Sequence, residues 1–393
     1  MAKEAMSQEE KNMNDEHKRL ASVVKNVHAN LRKKLRANNG DYETVWKQHC
    51  KDQSALCQYA QCMQKLATDH WTKNSHTRID WCREVILEYF NGSGLEKALE
   101  KDAKRQRHKL QKEEQQIVSD SCCVQNEGAD PTQRLRVQLM QDRPDACPQR
   151  DADVRDDTLV QLPLEGKVRL LDVGSCYNPF CQFDEFLPIA IDISPANELV
   201  YQCDFLSLEI TEPLHLAPDA GDTFLRKLSS PIERLPHGLF HVVVFSLLLE
   251  YLPAPQQRWL CCVKAHQLLQ CHGLLLIVTP DSHSQHRNAP MMRSWRTAIE
   301  SMGFHRWRYV KHEHLHCMAF RKLHQRPSVP CGVSPDMMYI PQDFSDKCLD
   351  DELNESSHKE VIQDECEDRD DFFQTSALEL PCFIPDDGSG TVV

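Results

Sequence analysis

The sequence predicts an α/β protein whose central segment, roughly residues 160–323, folds as a doubly wound, mostly parallel sheet. Three observations lead there. Short apolar runs of strand length recur from Arg169 to Val278. Stretches with helical spacing separate them, and such alternation places helices on both faces of a parallel sheet. Polar residues suited to ligand contact fall just past the ends of successive runs.

The elements follow in order. Residues 8–36 read as a helix, with Leu20, Val23, Val24, Val27 and Leu31 at helical spacing and a basic cluster, Arg32 to Arg36, at its end. Asn38-Asn39-Gly40-Asp41 breaks it. A second helical region, 42–90, carries Trp46, Trp71 and Trp81, expected to form a small helical core. Lys97–Lys112 holds seven Lys/Arg against two acids and reads as a solvated helix. Residues 8–112 thus form a helical N-terminal domain, and the polar stretch 113–159 a linker or mobile insertion. Strands are then expected at 169–173, 189–191, 200–203, 241–245 and 274–278, with a closing pair at 309–310 and 315–320. Helices are expected at 256–270 and 291–302. Residues 324–344 form an extension, and 345–393 a disordered tail.

Charge sharpens this division. The net charge is −13, yet residues 341–393 alone hold sixteen Asp/Glu against three Lys/Arg. The rest of the chain is neutral, and the acidity belongs to the tail. No run approaches the ~18–20 apolar residues of a membrane span, and the charged N-terminus lacks the apolar core of a secretory signal. The eighteen cysteines are scattered without a C-x-x-C, a pattern that suits reduced thiols in the cytoplasm or nucleus. His312, His314 and His316 alternate as if along one strand, but no cysteine stands at metal-ligand spacing, so no metal is expected.

The candidate site lies at the strand ends. Gly174 follows the first strand and lets a ligand approach the backbone. Asp192 ends the second, where an acid accepts hydrogen bonds from ribose hydroxyls. Asp204 and Phe205 follow the third and suit an adenine, and Ser246 follows the fourth. No full G-x-G-x-x-G follows the first strand, which tilts the expected ligand from a dinucleotide towards S-adenosylmethionine (SAM), which has no pyrophosphate. Arg78 follows a break between helical patterns and would reach the methionyl carboxylate of SAM, or else pair with a neighbouring acid such as Asp80.

RLLDVGSCYNPF, IDI, CDF, FHVVVFSLLLEYLP and VTPDS, together with LRKKLR, VWKQHC, RIDWCREVILEYF and YIPQDF, resemble the SAMTOR family of SAM sensors in the mTOR pathway. That family is similar to the fungal large-subunit ribosomal-RNA adenine methyltransferases. The resemblance covers roughly residues 20–345 and implies a Rossmann-type class I methyltransferase fold with a seven-stranded sheet. It implies SAM contacts from Arg78, Gly174, Asp192, Asp204, Phe205 and Ser246, and the GATOR and KICSTOR complexes as partners. Two functions remain open. SAM is a signal that alters partner binding, or a substrate for methylating an RNA adenine. The loop after the fourth strand, Phe245 to Tyr251, lacks the acid- or Asn-led box that holds a flipped base. Glu250 there could act as a base and Tyr251 could stack, although a Leu run packed inwards is the simpler reading. A neutral body with short basic clusters is poor for RNA affinity. Both points favour the sensor.

Overall fold

A computed structural model of the chain describes residues 8–71, 76–124, 166–214, 220–281, 288–312, 314–324 and 332–344. Contacts divide the chain into two compact units, residues 1–86 with 160–393, and residues 87–159.

In the first unit, helices precede the sheet. α1 (Gln8–Ala37) ends where Asn39 and Gly40 take φ of +52° and +81°, angles that Gly and Asn tolerate best. Asp41 caps α2 (Tyr42–Lys51) by accepting the Thr44 N–H at 3.0 Å, and Asp52 caps α3 (Gln53–Lys65) through Ala55 N at 3.2 Å. α3 runs into a π-helical turn, Leu66–His70. α4 (Arg78–Phe90) opens on a reciprocal cap: Asp80 accepts the Thr77 N–H at 2.8 Å, and Asp80 N donates to Thr77 Oγ1 at 3.3 Å. The second unit contains α5 (Gly94–Val124). α5 therefore continues past the expected end at residue 112, because residues 113–117 (EEQQI) are helix formers without Gly or Pro. The rest of the expected linker lies outside the described residues.

Seven strands form the main sheet: β1 (Val168–Val173), β2 (Phe186–Asp192), β3 (Tyr201–Gln202), β6 (Phe240–Ser246), β7 (Leu269–Pro280), β8 (Phe304–His312) and β9 (Leu315–Lys322). Their order is β3-β2-β1-β6-β7-β9-β8, parallel except for β9, which runs antiparallel to β7 and β8. This is the expected seven-stranded, mostly parallel sheet. A short separate pair, β4 (Glu209–Thr211) and β5 (Arg234–Pro236), was not foreseen, since neither has an apolar run to mark it. Helices α6 (Ala220–Leu225), α7 (Pro255–Leu268) and α8 (Ala289–Ser301) connect the strands. Val242–Phe245 and Leu274–Ile277 have no exposed surface, as central parallel strands covered on both faces require. Each such side chain contributes ~1.5–3 kcal/mol by leaving water. The order reverses between β1 and β6, which sets a crevice beyond their carboxyl ends.

The N-terminal aromatics divide: Trp71 sits in a small helical core of the kind expected of them, and Trp46 does not. Trp46, with Leu31 and Val45, joins the core of the sheet. Trp71 joins a smaller cluster with Leu20, Val24, Cys62 and Leu66, against which Tyr177 and Leu247 pack. Three short helices enclose little apolar volume by themselves, and the sheet offers more.

Residues 332–344 strap α7 and α8. Trp295 Nε1 donates to Tyr339 O at 2.8 Å. Arg258, wholly buried, donates to Met338 O at 2.6 Å, to Leu252 O at 2.7 Å and to the Asp343 carboxylate. Arg32 of α1 lies 3.9 Å from that carboxylate and donates to Glu250 O. His312 and His316 lie on β8 and β9, with His314 between the strands. The one histidine-bearing strand expected there is instead two antiparallel strands, with His312 paired to Leu315 and His314 in a turn. His316 hydrogen-bonds Asp281 at 2.7 Å and Tyr309 at 2.8 Å. No described helix is long and apolar enough to cross a membrane. The acidic tail from residue 345 lies outside the described residues.

Candidate ligand-binding cavity

A cavity of about 800 Å³, partly open to solvent, lies beyond the carboxyl ends of β1, β2 and β6. Gly174, Asp192, Asp204, Phe205 and Ser246 all line it. Arg78 is not in the wall, but its Nε donates to Ser246 Oγ at 3.0 Å and its guanidinium lies 4.9 Å over the Trp71 ring. Asp80, the alternative partner, is occupied by Thr77. All six residues singled out in the sequence therefore gather at one place.

The backbone there is bent to purpose. Gly174 has φ +73°, and Cys176, Asn178 and Leu247 also take positive φ, of 59°, 58° and 59°. Such angles cost an L-residue ~1–2 kcal/mol each, and clustered strain of this kind marks sites where backbone geometry serves a ligand. The Gly174 N–H donates to Ile191 O at 2.8 Å, which holds the β1 turn against the end of β2.

Asp192 accepts the Ser194 N–H at 2.8 Å and the Cys176 N–H at 3.2 Å. Desolvation nonetheless pushes its carboxyl up to about 6. Two amides fix the carboxylate, and each oxygen retains a lone pair for the cavity. Asp204 accepts Trp46 Nε1 at 3.1 Å, Leu206 N at 3.1 Å and Ser207 Oγ at 2.6 Å. Asp172, buried beneath the loop, accepts Ser175 Oγ at 2.6 Å; desolvation raises it to about 7 against the pull of Ser175 and Arg78. Phe205 is buried with its ring edge-on to Phe245, 5.8 Å between centroids. A carboxylate at the second strand end, a close-approach glycine and a second carboxylate beside a phenylalanine suit a nucleoside.

The sequence did not reveal the far wall. Trp46, Leu56, Tyr59, Ala60 and Met63 of α2 and α3 line it. Helical periodicity marks those residues as buried but not what they cover. Tyr251 also lines the cavity, 4.9 Å from the Tyr59 ring and hydrogen-bonded to His49. Leu249 packs into the core, whereas Leu247 and Leu248 face the cavity, so the leucine run is divided rather than wholly inward. Glu250 accepts Thr279 Oγ1 at 3.4 Å, and desolvation pushes it up to about 7.

A Xenopus laevis protein described as "S-adenosylmethionine sensor upstream of mTORC1" is 48% identical over 355 residues, covering 89% of this chain and 82% of that protein. Proteins of the same description from Danio rerio and Xenopus tropicalis are 48% and 47% identical, over 84% and 89% of this chain and 77% and 82% of theirs. No family model matches the chain. Solved structures are far more distant. A TehB-like SAM-dependent methyltransferase from Corynebacterium glutamicum has TM-score 0.27 and 13% identity, over 49% of this chain and 95% of its own. The [4+2]-cyclase SpnF has TM-score 0.27 and 12% identity, over 41% and 76%.

Proposed function

The chain belongs to the family of S-adenosylmethionine sensors upstream of mTORC1, and from that premise we propose that it binds SAM in the 800 Å³ cavity and reports it through protein partners. The observation that carries this reading is the convergence of Gly174, Asp192 and Asp204 on one cavity, with Arg78 tied to its rim by Ser246. In this reading Asp192 accepts the ribose hydroxyls. Asp204 takes the adenine amine and the Phe205 amide a ring nitrogen. Gly174 admits the ligand to the backbone, and the guanidinium of Arg78 pairs with the methionyl carboxylate.

The output follows from where the wall comes from. Helices α2 and α3 supply one side of the cavity and the strand ends the other, so a ligand filling it bonds both. SAM favours the arrangement it bridges by the difference in its affinity for bridged and unbridged states. The surface around α1–α3 then changes with SAM occupancy, and partners read that change. The partners implied by the resemblance are the GATOR and KICSTOR complexes. The loop after β6 lacks the acid- or Asn-led box that holds a flipped base, and Leu247 and Leu248 face the cavity there, which favours sensing over RNA methylation, although Tyr251 also lines the cavity. Pulldown of GATOR and KICSTOR subunits across a SAM titration tests the reading. Partner recovery that changes with SAM in the wild type, but not in Asp192→Ala, supports it. Recovery indifferent to SAM overturns it.

A further inference from the structure

Far from the SAM cavity, α8 and the edge strand β8 carry Arg293, Arg296, Arg306, Arg308 and Lys311 against one carboxylate, Glu300. Arg293, Arg296 and Lys311 are exposed and Arg306 is half-buried. Glu300 is shared three ways: it lies 3.3 Å from Arg296 Nε and 3.6 Å from His305 Nδ1, and it accepts the Arg306 N–H at 3.1 Å. Lys311 pairs with Asp281 at 2.7 Å. The Arg306 guanidinium lies over the Tyr309 ring at 5.4 Å, and burial and the nearby Arg296 both disfavour its charged form. Like charges this close repel, and an added carboxylate would offset that. Among the described residues no strand covers the outer side of β8. Its charges and the break in register between Arg306 and Arg308 resist strand pairing at that edge. Charge is therefore what this surface offers a partner.

The acidic segment of the chain begins beside it. The strap packs on α8, with Ser294 Oγ donating to Met337 O at 2.7 Å and Trp295 Nε1 to Tyr339 O at 2.8 Å. Burial raises the Tyr339 phenol and the charge of Arg293 opposes it, which puts Arg293 next to the strap. The Tyr339 ring stands 5.5 Å from Phe344, the last described residue. After Phe344 come fifteen acids against three Lys/Arg, and seven of them, against one Arg, fall between Glu360 and Asp371. The sixteen residues from Phe344 to Glu360 span ~24 Å even as a helix and ~53 Å extended. The thirteen-residue α8 is itself only ~20 Å long, so the acids reach its whole face.

We propose that the acidic segment Glu360–Asp371 docks on the α8–β8 surface of its own chain, its carboxylates on Arg293, Arg296 and Arg306. The tether raises the local concentration of the segment, so individually weak exposed pairs suffice to hold it. Such pairs add little to the stability of the body. The docked segment neutralises this face and covers it against other anionic partners, and rising salt releases it.

Photo-crosslinking in the full-length chain tests this, with p-benzoylphenylalanine placed at Thr297, an exposed residue between Arg296 and Glu300. A control chain carries it at Leu199, exposed near the opposite edge of the sheet. At low salt, irradiation joins position 297 to residues within 345–393 of the same chain, as mixing isotope-labelled and unlabelled chains establishes. The yield falls about fivefold or more at ~0.5 M salt, where charges are screened beyond a few ångströms. It falls as far in Arg296→Glu/Arg306→Glu. Should that variant melt early, neutralising the segment decides, because it leaves the body untouched: Asp364→Asn, Glu365→Gln, Glu367→Gln, Asp368→Asn, Asp370→Asn and Asp371→Asn together lower the yield in the same way. Crosslinks outside 345–393, crosslinks only between copies, an equal yield from position 199, or a yield indifferent to salt and to the neutralised segment each overturn the inference.

Discussion

Gly174→Ala separates two consequences of one added methyl. At φ +73° an L-residue pays ~1–2 kcal/mol for the left-handed conformation. Its Cβ would also stand 2.8 Å from Leu248 Cδ1, well inside the ~3.5–4.0 Å of a carbon–carbon contact. Leu248 must swing away. Its side chain is part of the cavity wall, so its displacement reshapes the space assigned to SAM. The variant should therefore melt a few degrees lower, consistent with a loss of ~1–2 kcal/mol, and bind SAM about tenfold or more weakly. Thermal melts and calorimetry read the two effects separately. In a Leu248→Ala background the collision disappears, so adding Gly174→Ala should then lower stability by the same backbone cost, and the part of the SAM loss that runs through Leu248 should be recovered. Equal SAM affinity in wild type and Gly174→Ala, or no recovery in the double variant, would refute this account of the turn.

Three further outcomes follow from other parts of the molecule. Arg78→Ala should weaken SAM binding by ~1.5–3 kcal/mol, the value of a lost charge-assisted bond, and Arg78→Lys should recover little, since an ammonium cannot pair bidentately; unchanged affinity in Arg78→Ala would remove it from the site. SAM affinity should fall up to tenfold per pH unit below about 6, because the ribose bonds favour the ionised Asp192 and the free protein increasingly holds it protonated there; Asp192→Asn should lose that slope, and an identical slope would assign it elsewhere. Asp343→Ala should cost ~3–5 kcal/mol of stability by leaving the buried Arg258 uncompensated, whereas removing residues 350–393 should leave the melting temperature nearly unchanged, and the reverse pattern would contradict both assignments.

Much of the fold was legible because its signals are local. Apolar runs such as HVVVF and LLLIV have the length of covered strands, and each strand-end residue follows from its place in that alternation. Gly174, Asp192, Asp204 and Ser246 follow from the same rule. The far wall was not legible. Tyr59 and Met63 sit on a helix whose pattern marks a buried face without naming what covers it. Trp46 was expected among helical aromatics, yet its indole reaches Asp204, 158 residues away. Nor did the sequence foretell the Arg258–Asp343 pair, since nothing local to either residue signals the other. The β4–β5 pair escaped for lack of any apolar period.

The central claim, that SAM occupies the cavity at the strand ends and is held there by Asp192, is tested most directly by calorimetry of SAM with the wild-type chain and with Asp192→Ala. Wild type should bind, and the variant should lose roughly tenfold to several hundredfold, as expected for one or two charge-assisted hydrogen bonds at ~1.5–3 kcal/mol each. A folded Asp192→Ala protein that binds SAM with wild-type affinity would contradict the account.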